Sequence, residues 1–259
     1  MSKKMISMQE LETIANELRK ELIRKHSIAK MPHLGSDLSC LDIMVALYFK
    51  VMGKDDHFLL SKGHAAIGLY AVLHRKKIMG DELYDSIGKD GSRLGEHPTV
   101  GINGIEIATG SLGHGLPIAS GMALANKNDG KKGRIYVLLS DGECEEGSTL
   151  EAMNFAGRVG LSNLTAIVDY NGWQAFDRTL FKRKSLAKMF DAAGWDVREV
   201  NGHNYKELVS ALEHTADRPS LIIAKTVLGK GTKQLEDTLA AHYKYPTPEE
   251  AADLISGLQ

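Results

Sequence analysis

The sequence has little of several features that mark particular protein classes. It has only two cysteines, Cys40 and Cys144, in 259 residues, which excludes a disulfide framework and fits a reducing cytoplasm. Its formal net charge is -1, and this near neutrality argues against a nucleic acid or a membrane surface as partner. No apolar run approaches the length that spans a bilayer. We therefore expect a soluble, cytoplasmic protein.

The N-terminus also lacks a targeting signal. Residues 1–10 contain Lys3 and Lys4 but no apolar stretch behind them, so they do not predict a signal peptide. Ser7 and Glu10 have the spacing of a capping box, which predicts that the first helix begins near Ser7. With no repeat, low-complexity tract or linker, we interpret residues 1–259 as a single domain with N-terminal helices and a C-terminal tail.

The rest of the chain alternates between apolar runs and helical patterns. A buried helix is predicted over residues 40–52, which are apolar on most sides. Four strand-like runs follow, over residues 134–141, 164–171, 195–200 and 221–226. Continuous apolar strands separated by helices predict an α/β fold, a parallel sheet with helices on both faces. Ligands of such sheets bind beyond the carboxyl ends of the strands.

Two of these strands end in polar residues suited to one metal ion. Asp141 closes the first run and Asn171 the second, and the segment between them is long enough for a crossover helix. A carboxylate and an amide oxygen suit Mg²⁺, while Gly142 permits close backbone approach to an anion. The alternative is that Asp-Gly and Asn-Gly are simple turns.

Residues 141–171 (DGECEEGSTLEAMNFAGRVGLSNLTAIVDYN) resemble the thiamine-diphosphate motif of transketolases. The resemblance implies the thiamine-diphosphate-binding fold, with thiamine diphosphate and Mg²⁺ as cofactors and Gly142 beside the diphosphate. It places Glu146 and Glu151 at a contact between subunits near the cofactor. The metal ligands that it implies are Asp141, Asn171 and the backbone carbonyl of Trp173, with Asn171 also counted among the cofactor-binding residues.

Four of the ten histidines lie in contexts that resemble transketolase signatures. They are His33 in HLGS, His64 in LSKGHAA, His97 in RLGEHP and His242 in EDTLAAH. Any one of them alone is more often structural, but ketol transfer needs groups that move protons near neutral pH. The resemblance implies that His64 and His242 lie near the diphosphate. It also implies catalytic roles for His33, His97 and His242 on the substrate side.

A glycine-rich block, TGSLGHG, resembles a further part of the same family. It implies that Gly110, Ser111 and Leu112 line the cofactor and that a helix starts at Gly115. A simple loop-to-helix turn is the alternative. Two residues depart from the family pattern: His114 stands where Gln is usual, and Glu96 where Gly usually precedes the histidine. These departures bear on the sugar rather than on the cofactor.

The resemblance runs from about Gln9 to the C-terminus but covers only the first domain of a full-length transketolase. The pyrimidine-binding domain, with its cofactor-activating glutamate, and the C-terminal domain are not represented. This implies a separate C-terminal subunit, a two-plus-two heterotetramer, and transfer of a two-carbon ketol unit from a ketose or ketose phosphate to an aldose only with that partner. A truncated chain or an orphan subunit is the alternative.

Other functions remain open at this point. A transketolase-like enzyme could act on a branched or sulfonated ketose, or the chain could resemble a deoxyxylulose phosphate synthase. The α subunit of a 2-oxo-acid dehydrogenase is a further alternative, opposed by the Lys-Gly-His and Gly-Ser-Leu-Gly blocks. A non-catalytic regulatory homologue is the alternative of a different class, and the presence of Asp141 and Asn171 argues against it.

Overall fold

A computed structural model describes residues 6–258, so the expectations for Lys3 and Lys4 lie outside the described residues, as does residue 259 of the predicted domain. Within this range one sheet of five strands is entirely parallel, with the order β1-β2-β3-β5-β4. The strands are β1 His57–Leu60, β2 Ile135–Ser140, β3 Leu164–Tyr170, β4 Asp196–Asn201 and β5 Ser220–Lys225. The predicted parallel sheet is confirmed.

Strand β1 is the element that the sequence did not reveal. It has four residues and pairs with β2 from His57 opposite Ile135 to Leu60 opposite Leu138. So short an apolar run does not distinguish a strand from a buried turn, and only pairing with β2 defines it. The other four strands begin and end within one residue of the predicted runs, because each run is bounded by turn or charged residues.

Ten α-helices connect and flank the strands within the described range. They are α1 Met8–Ala29, α2 Leu34–Ala46, α3 Ala66–Arg75, α4 Asp81–Tyr84, α5 Gly115–Asn128, α6 Gly147–Val159, α7 Arg183–Ala192, α8 Tyr205–Glu213, α9 Ala240–Tyr243 and α10 Pro248–Ser256. None of the helices within residues 6–258 has the length and apolarity needed to cross a membrane.

The sheet separates two hydrophobic cores, one on each face. Alternate residues of β2 point to opposite sides: Tyr136 and Leu138 enter one core, while Val137 and Leu139 enter the other. Helices α1, α2, α3, α8 and α10 contribute to the first core, and α5, α6 and α7 to the second. The predicted covering of both faces by helices is confirmed.

The first residues of α1 and α2 are determined in different ways, one by local sequence and the other with a tertiary contact. Helix α1 begins with the predicted capping box, in which Ser7 and Glu10 bond each other's backbone N–H groups. Helix α2 is buried along its whole length, as predicted, but begins at Leu34 rather than at residue 40. It continues through a π-helical turn, Leu47–Val51. The early start depends on His33, which adopts a left-handed conformation and receives no side-chain cap.

Candidate functional site

A cavity of about 540 Å³ opens where β2 and β3 end. It collects most of the residues singled out in the sequence: His33, His64, His97, Gly110, Leu112, Gly142, Glu146, Asn171, Trp173 and His242. Asp141 is buried at the end of β2, next to the lining residue Gly142. Ser111 and Glu151 are exposed and do not line the cavity. Their implied cofactor roles remain predictions.

Asp141 joins the ends of the two central strands. Its carboxylate accepts hydrogen bonds from the backbone N–H of Gly142 at 3.0 Å and of Gly172 at 2.6 Å. The side chain is only 1% exposed, and burial together with the Asp169 carboxylate raises the pKa of Asp141 to about 7. Within residues 6–258 no ion pair neutralises this carboxylate. The Lys62 ammonium, which is paired with Asp169, offsets this rise in pKa only in part, and a buried carboxylate with no ion pair of its own is suited to a bound cation.

Asn171 is held in one orientation beside this carboxylate. Its Oδ1 accepts a hydrogen bond from the backbone N–H of Trp173 at 2.9 Å, and its Nδ2 donates to Asp169 at 3.4 Å. No group of three or more His, Cys, Asp or Glu side chains suited to a metal occurs in the described part of the chain. The mixed oxygen ligands that the resemblance implies, Asp141, Asn171 and the Trp173 carbonyl, therefore remain a prediction. Mg²⁺ accepts such a set when phosphate oxygens or water complete it.

Two glycines, Gly142 in the cavity wall and Gly63 next to His64, leave no room for side chains. A Cβ on Gly142 would lie 2.9 Å from the Cβ of Gln174, and one on Gly63 would lie 2.9 Å from the backbone nitrogen of Gly110. Gly142 begins a short 3-10 helix, Gly142–Glu145, so the α-helix that follows starts only at Gly147. The absence of a side chain therefore lets Gln174 pack on Gly142 and the Thr109–Gly110 backbone pack on Gly63.

Glu143 is a site residue that the sequence reasoning missed. It is completely buried, and its carboxylate accepts hydrogen bonds from the Ser61 hydroxyl and, at 2.8 Å, from the backbone N–H of Gly113. Ser61 in turn accepts from the backbone N–H of Gly115 at 3.0 Å. Glu143 thus fixes the Gly110–Gly113 loop against the end of β2. The Asp-Gly-Glu motif contains this residue, but nothing in the sequence shows that its carboxylate points inward.

A buried ion pair, also missed, lies beneath the cavity. Lys62 and Asp169 are both fully buried and pair with each other, and Lys62 also donates to the Ser36 carbonyl at 3.2 Å. Asp169 accepts further hydrogen bonds from Ser39 and Thr226. Because Asp169 also contacts Asn171, and Lys62 lies two residues before His64, the pair fixes both parts of the site.

Three histidines from distant parts of the chain form one cluster. The ring centroid of His33 lies 5.4 Å from that of His64 and 5.0 Å from that of His242, and the last two are 5.9 Å apart. Burial lowers the pKa of each of them, well below the usual value for His64 and to about 4 for His242. In the described chain the cluster is therefore neutral at pH 7, and its rings can both donate and accept hydrogen bonds.

His97 reaches the same cavity from the loop before α5. A Cβ on Gly110 would lie 3.3 Å from the His97 ring, so the ring packs directly on this glycine. The backbone carbonyl of His97 accepts a hydrogen bond from the Tyr70 hydroxyl at 3.1 Å. The structure thus brings all four predicted histidines to one cavity, although it does not test their roles.

A parallel sheet with oxygen ligands and imidazoles at its carboxyl edge defines an α/β cofactor-binding domain. The family model described as "Transketolase, thiamine diphosphate binding domain" matches residues 12–254. The chain belongs to the transketolase family, whose members are transferases of ketol groups. The family membership that the sequence motifs implied is confirmed, as is thiamine diphosphate binding as the property of this domain family.

Similar proteins fall into two groups by length. The chain is 37% identical to a protein of Phocaeicola vulgatus that is named as a subunit of apulose-4-phosphate transketolase, over 96% of this chain and 94% of the relative. It is 36% identical to a 6-deoxy-6-sulfo-D-fructose transketolase subunit from Clostridium sp., over 96% and 95%. The transketolase of Mus musculus is 38% identical over 96% of this chain, which spans only 42% of that protein.

Solved structures show the same relation. The transketolase of Campylobacter jejuni superposes with a TM-score of 0.88 at 30% identity, covering 97% of this chain and 43% of that one. The chain therefore spans less than half of single-chain transketolases but nearly all of the relatives named as subunits.

Proposed function

We propose that the chain is the diphosphate-binding subunit of a two-chain transketolase that moves a two-carbon ketol unit from a ketose or ketose phosphate to an aldose. The observation that carries this proposal is that two groups of side chains, the pair at the strand ends and the histidines, lie at the same cavity. Asp141 and Asn171 lie at adjacent strand ends, and four histidines line the same space. A turn-only role for Asp141 and Asn171 would not explain a buried carboxylate that has no ion pair within residues 6–258.

The donor atoms fit a diphosphate held through Mg²⁺. Asp141, Asn171 and the Trp173 carbonyl would hold the metal, and Gly142, which lines the cavity, would lie beside the diphosphate. His64 and His242 would lie on the diphosphate side, and Gly110 and Leu112 along the cofactor. Thiamine diphosphate supplies the stabilisation of a carbanion that the protein itself lacks.

The histidines supply the proton transfers. His33 and His242, whose pKa values are lowered, are neutral at pH 7, so a ring nitrogen without a proton can accept one from a sugar hydroxyl and return it. His33, His97 and His242 are the residues that we assign to this task. Their clustering allows one proton to be handled at a time, because a charge on His33 or His242 disfavours a second charge 5.0 Å away.

A second candidate function is ketol transfer from an unusual ketose. It is supported by the two subunit relatives, which are named for apulose 4-phosphate and for a sulfonated fructose. His114 and Glu96, which depart from the common family pattern, lie close to the candidate site in sequence and bear on the same choice. A panel of ketose donors, with and without phosphate or sulfonate, distinguishes the two candidates.

The assembly that we propose is a two-plus-two heterotetramer with a chain carrying the remaining transketolase domains. It is supported by the 42% coverage of a single-chain transketolase and by the exposure of Phe176, an 87% exposed aromatic side chain that lines the cavity. Such an apolar side chain at a site entrance is suited to being covered by a partner. We propose the cytoplasm as compartment, because both cysteines are buried and free.

The test combines the chain with its candidate partner, a protein that resembles the other transketolase domains. We expect ketol transfer from a ketose to an aldose only when both chains, thiamine diphosphate and Mg²⁺ are present. Asp141→Ala should weaken cofactor binding by the complex at least about tenfold, or 1.4 kcal/mol, measured by calorimetry. The matched control is Asp191→Ala, at an exposed position on α7 just before β4 and thus at the opposite edge of the sheet.

Two results would contradict the proposal. Robust turnover by the isolated chain would show that no partner is needed. Cofactor binding by Asp141→Ala that equals that of Asp191→Ala would remove the metal assignment.

A further inference from the structure

Glu96, the residue that departs from the family pattern before His97, lies against a second histidine, His33, which lines the cavity. Its Oε1 lies 2.6 Å from Nδ1 of His33. The His33 side chain is 17% exposed and that of Glu96 is 35% exposed, so the pair is largely shielded from water on the histidine side. A glycine at position 96 would provide no such carboxylate.

The backbone of His33 is strained in a way that fixes where its ring can go. Its φ of 71° and ψ of 15° place it in the left-handed region, which is unfavourable for residues other than glycine. The conformation is held by a hydrogen bond from the His33 N–H to the carbonyl of His242 at 3.1 Å. The same residue is the N-cap of α2. Such strain, maintained beside a site, indicates that the position of this ring matters to the function.

The two ring nitrogens of His33 face different surroundings. Nδ1 is completely buried and lies 2.6 Å from the carboxylate of Glu96, without the angle of a regular hydrogen bond, whereas the ring as a whole lines the cavity. The exposed part of the His33 side chain therefore belongs to its other atoms, which include Nε2. A carboxylate oxygen carries negative charge and lone pairs, so at this distance it disfavours a lone pair on Nδ1 and favours the form of neutral imidazole whose proton is on Nδ1. That form leaves a lone pair on Nε2.

We propose that Glu96 is a positioning residue that fixes His33 with its proton on Nδ1 and presents Nε2 to the substrate as a proton acceptor. The assignment of His33 to the substrate side rests on the proposed function. In the reaction step, the bond between a sugar hydroxyl oxygen and its hydrogen breaks and an N–H bond forms at Nε2. The positive charge of the resulting imidazolium is balanced by the Glu96 carboxylate, and the proton is later returned to an oxygen of substrate or product.

The charges around His33 agree with this arrangement. Burial lowers the pKa of His33, the carboxylates of Glu96 and Asp37 oppose that effect, and His97 adds to it. The rings of His64 and His242 also face His33. The net lowering keeps His33 neutral at pH 7, as an acceptor must be.

The direct test is the position of the His33 ring proton, observed by NMR of the ¹⁵N-labelled chain at pH 7.5. The His33 signals are assigned by their loss in His33→Gln. In the unaltered chain we expect the Nδ1–H form. In Glu96→Ala the Nε2–H form, which free histidine prefers, should replace it. Glu96→Gln, which is nearly isosteric and keeps an acceptor, should retain Nδ1–H but lower the pKa of His33 further, because the carboxylate charge is lost.

The matched control is Glu106→Ala. Glu106 lies 2.9 Å from Nδ1 of the half-exposed His57, so this variant removes the same kind of pair elsewhere and should leave the His33 signals unchanged. An Nε2–H form in the unaltered chain, or His33 signals that Glu96→Ala does not move, would overturn the proposal.

In the complex with its partner, Glu96→Ala should lower kcat/KM about tenfold, which is 1.4 kcal/mol, and should shift the acidic limb of its pH profile. It should have no further effect when His33 is already Gln. An equal loss in both backgrounds would also overturn the proposal. If the complex instead shows no ketol transfer at all, the proposed function fails, while the NMR result still decides the role of Glu96.

Discussion

Replacement of Lys62 by Met tests whether the buried ion pair beneath the cavity supports the fold. Burial by itself would lower the pKa of Lys62, but the adjacent Asp169 carboxylate overcomes this, and the pKa is raised. Lys62→Met keeps most of the side-chain volume yet leaves Asp169, which is 0% exposed, with only hydroxyl and amide donors. Breaking a buried pair from one side costs about 3–5 kcal/mol. That is a large part of a total stability of about 5–15 kcal/mol.

The free energy of unfolding is measured by urea denaturation followed by circular dichroism. The matched control is Lys131→Met, which removes a lysine from an ion pair whose side chains are 64% and 57% exposed, and it should cost about 0–1 kcal/mol. Adding Asp169→Asn to Lys62→Met should recover part of the lost free energy of unfolding, because the unpaired negative charge of Asp169 is then removed. A loss below about 1 kcal/mol for Lys62→Met would refute the reasoning, since it would show that Asp169 finds compensation elsewhere.

Two further predictions concern the histidine cluster and Gly142. Burial, followed by the neighbouring His33, lowers the pKa of His242 from 6.5 to about 4, so between these values the unfolded chain binds the proton more readily. The stabilising contribution is thus complete above pH 6.5 and is lost as the pH falls towards 4. Because burial also lowers the pKa of His33 and His64, we expect His242→Asn to reduce the loss of unfolding free energy at pH 5.5, measured by urea titration, by about 1 kcal/mol without removing it. Gly142→Ala should weaken binding of thiamine diphosphate by the complex in calorimetry, because its Cβ would meet Gln174, whereas Gly147→Ala, with nothing within 4 Å of its Cβ, should not. Equal affinities of these two alanine variants would contradict the role given to the Gly142 backbone.

The sequence by itself determined the class of fold and the chemistry of the site. Apolar runs bounded by turn residues predicted four strands and the parallel sheet, because strands that are buried on both faces need continuous apolar side chains. The capping box at Ser7 likewise depends on neighbours only three residues apart. Motifs around Asp141 and Asn171 predicted that the two residues meet, since the carboxyl ends of neighbouring parallel strands lie at one edge.

Tertiary structure alone decided which charged groups are turned inward and what they contact. Strand β1 exists through its pairing with β2, and helix α2 starts at Leu34 because a hydrogen bond to His242 holds the backbone of His33. Glu143 and Lys62 look in the sequence like ordinary surface charges, yet both are completely buried with partners from distant segments. Such contacts join residues far apart in the chain, and no local pattern encodes them. Charged side chains are buried only where the folded chain supplies the partners that offset their loss of water.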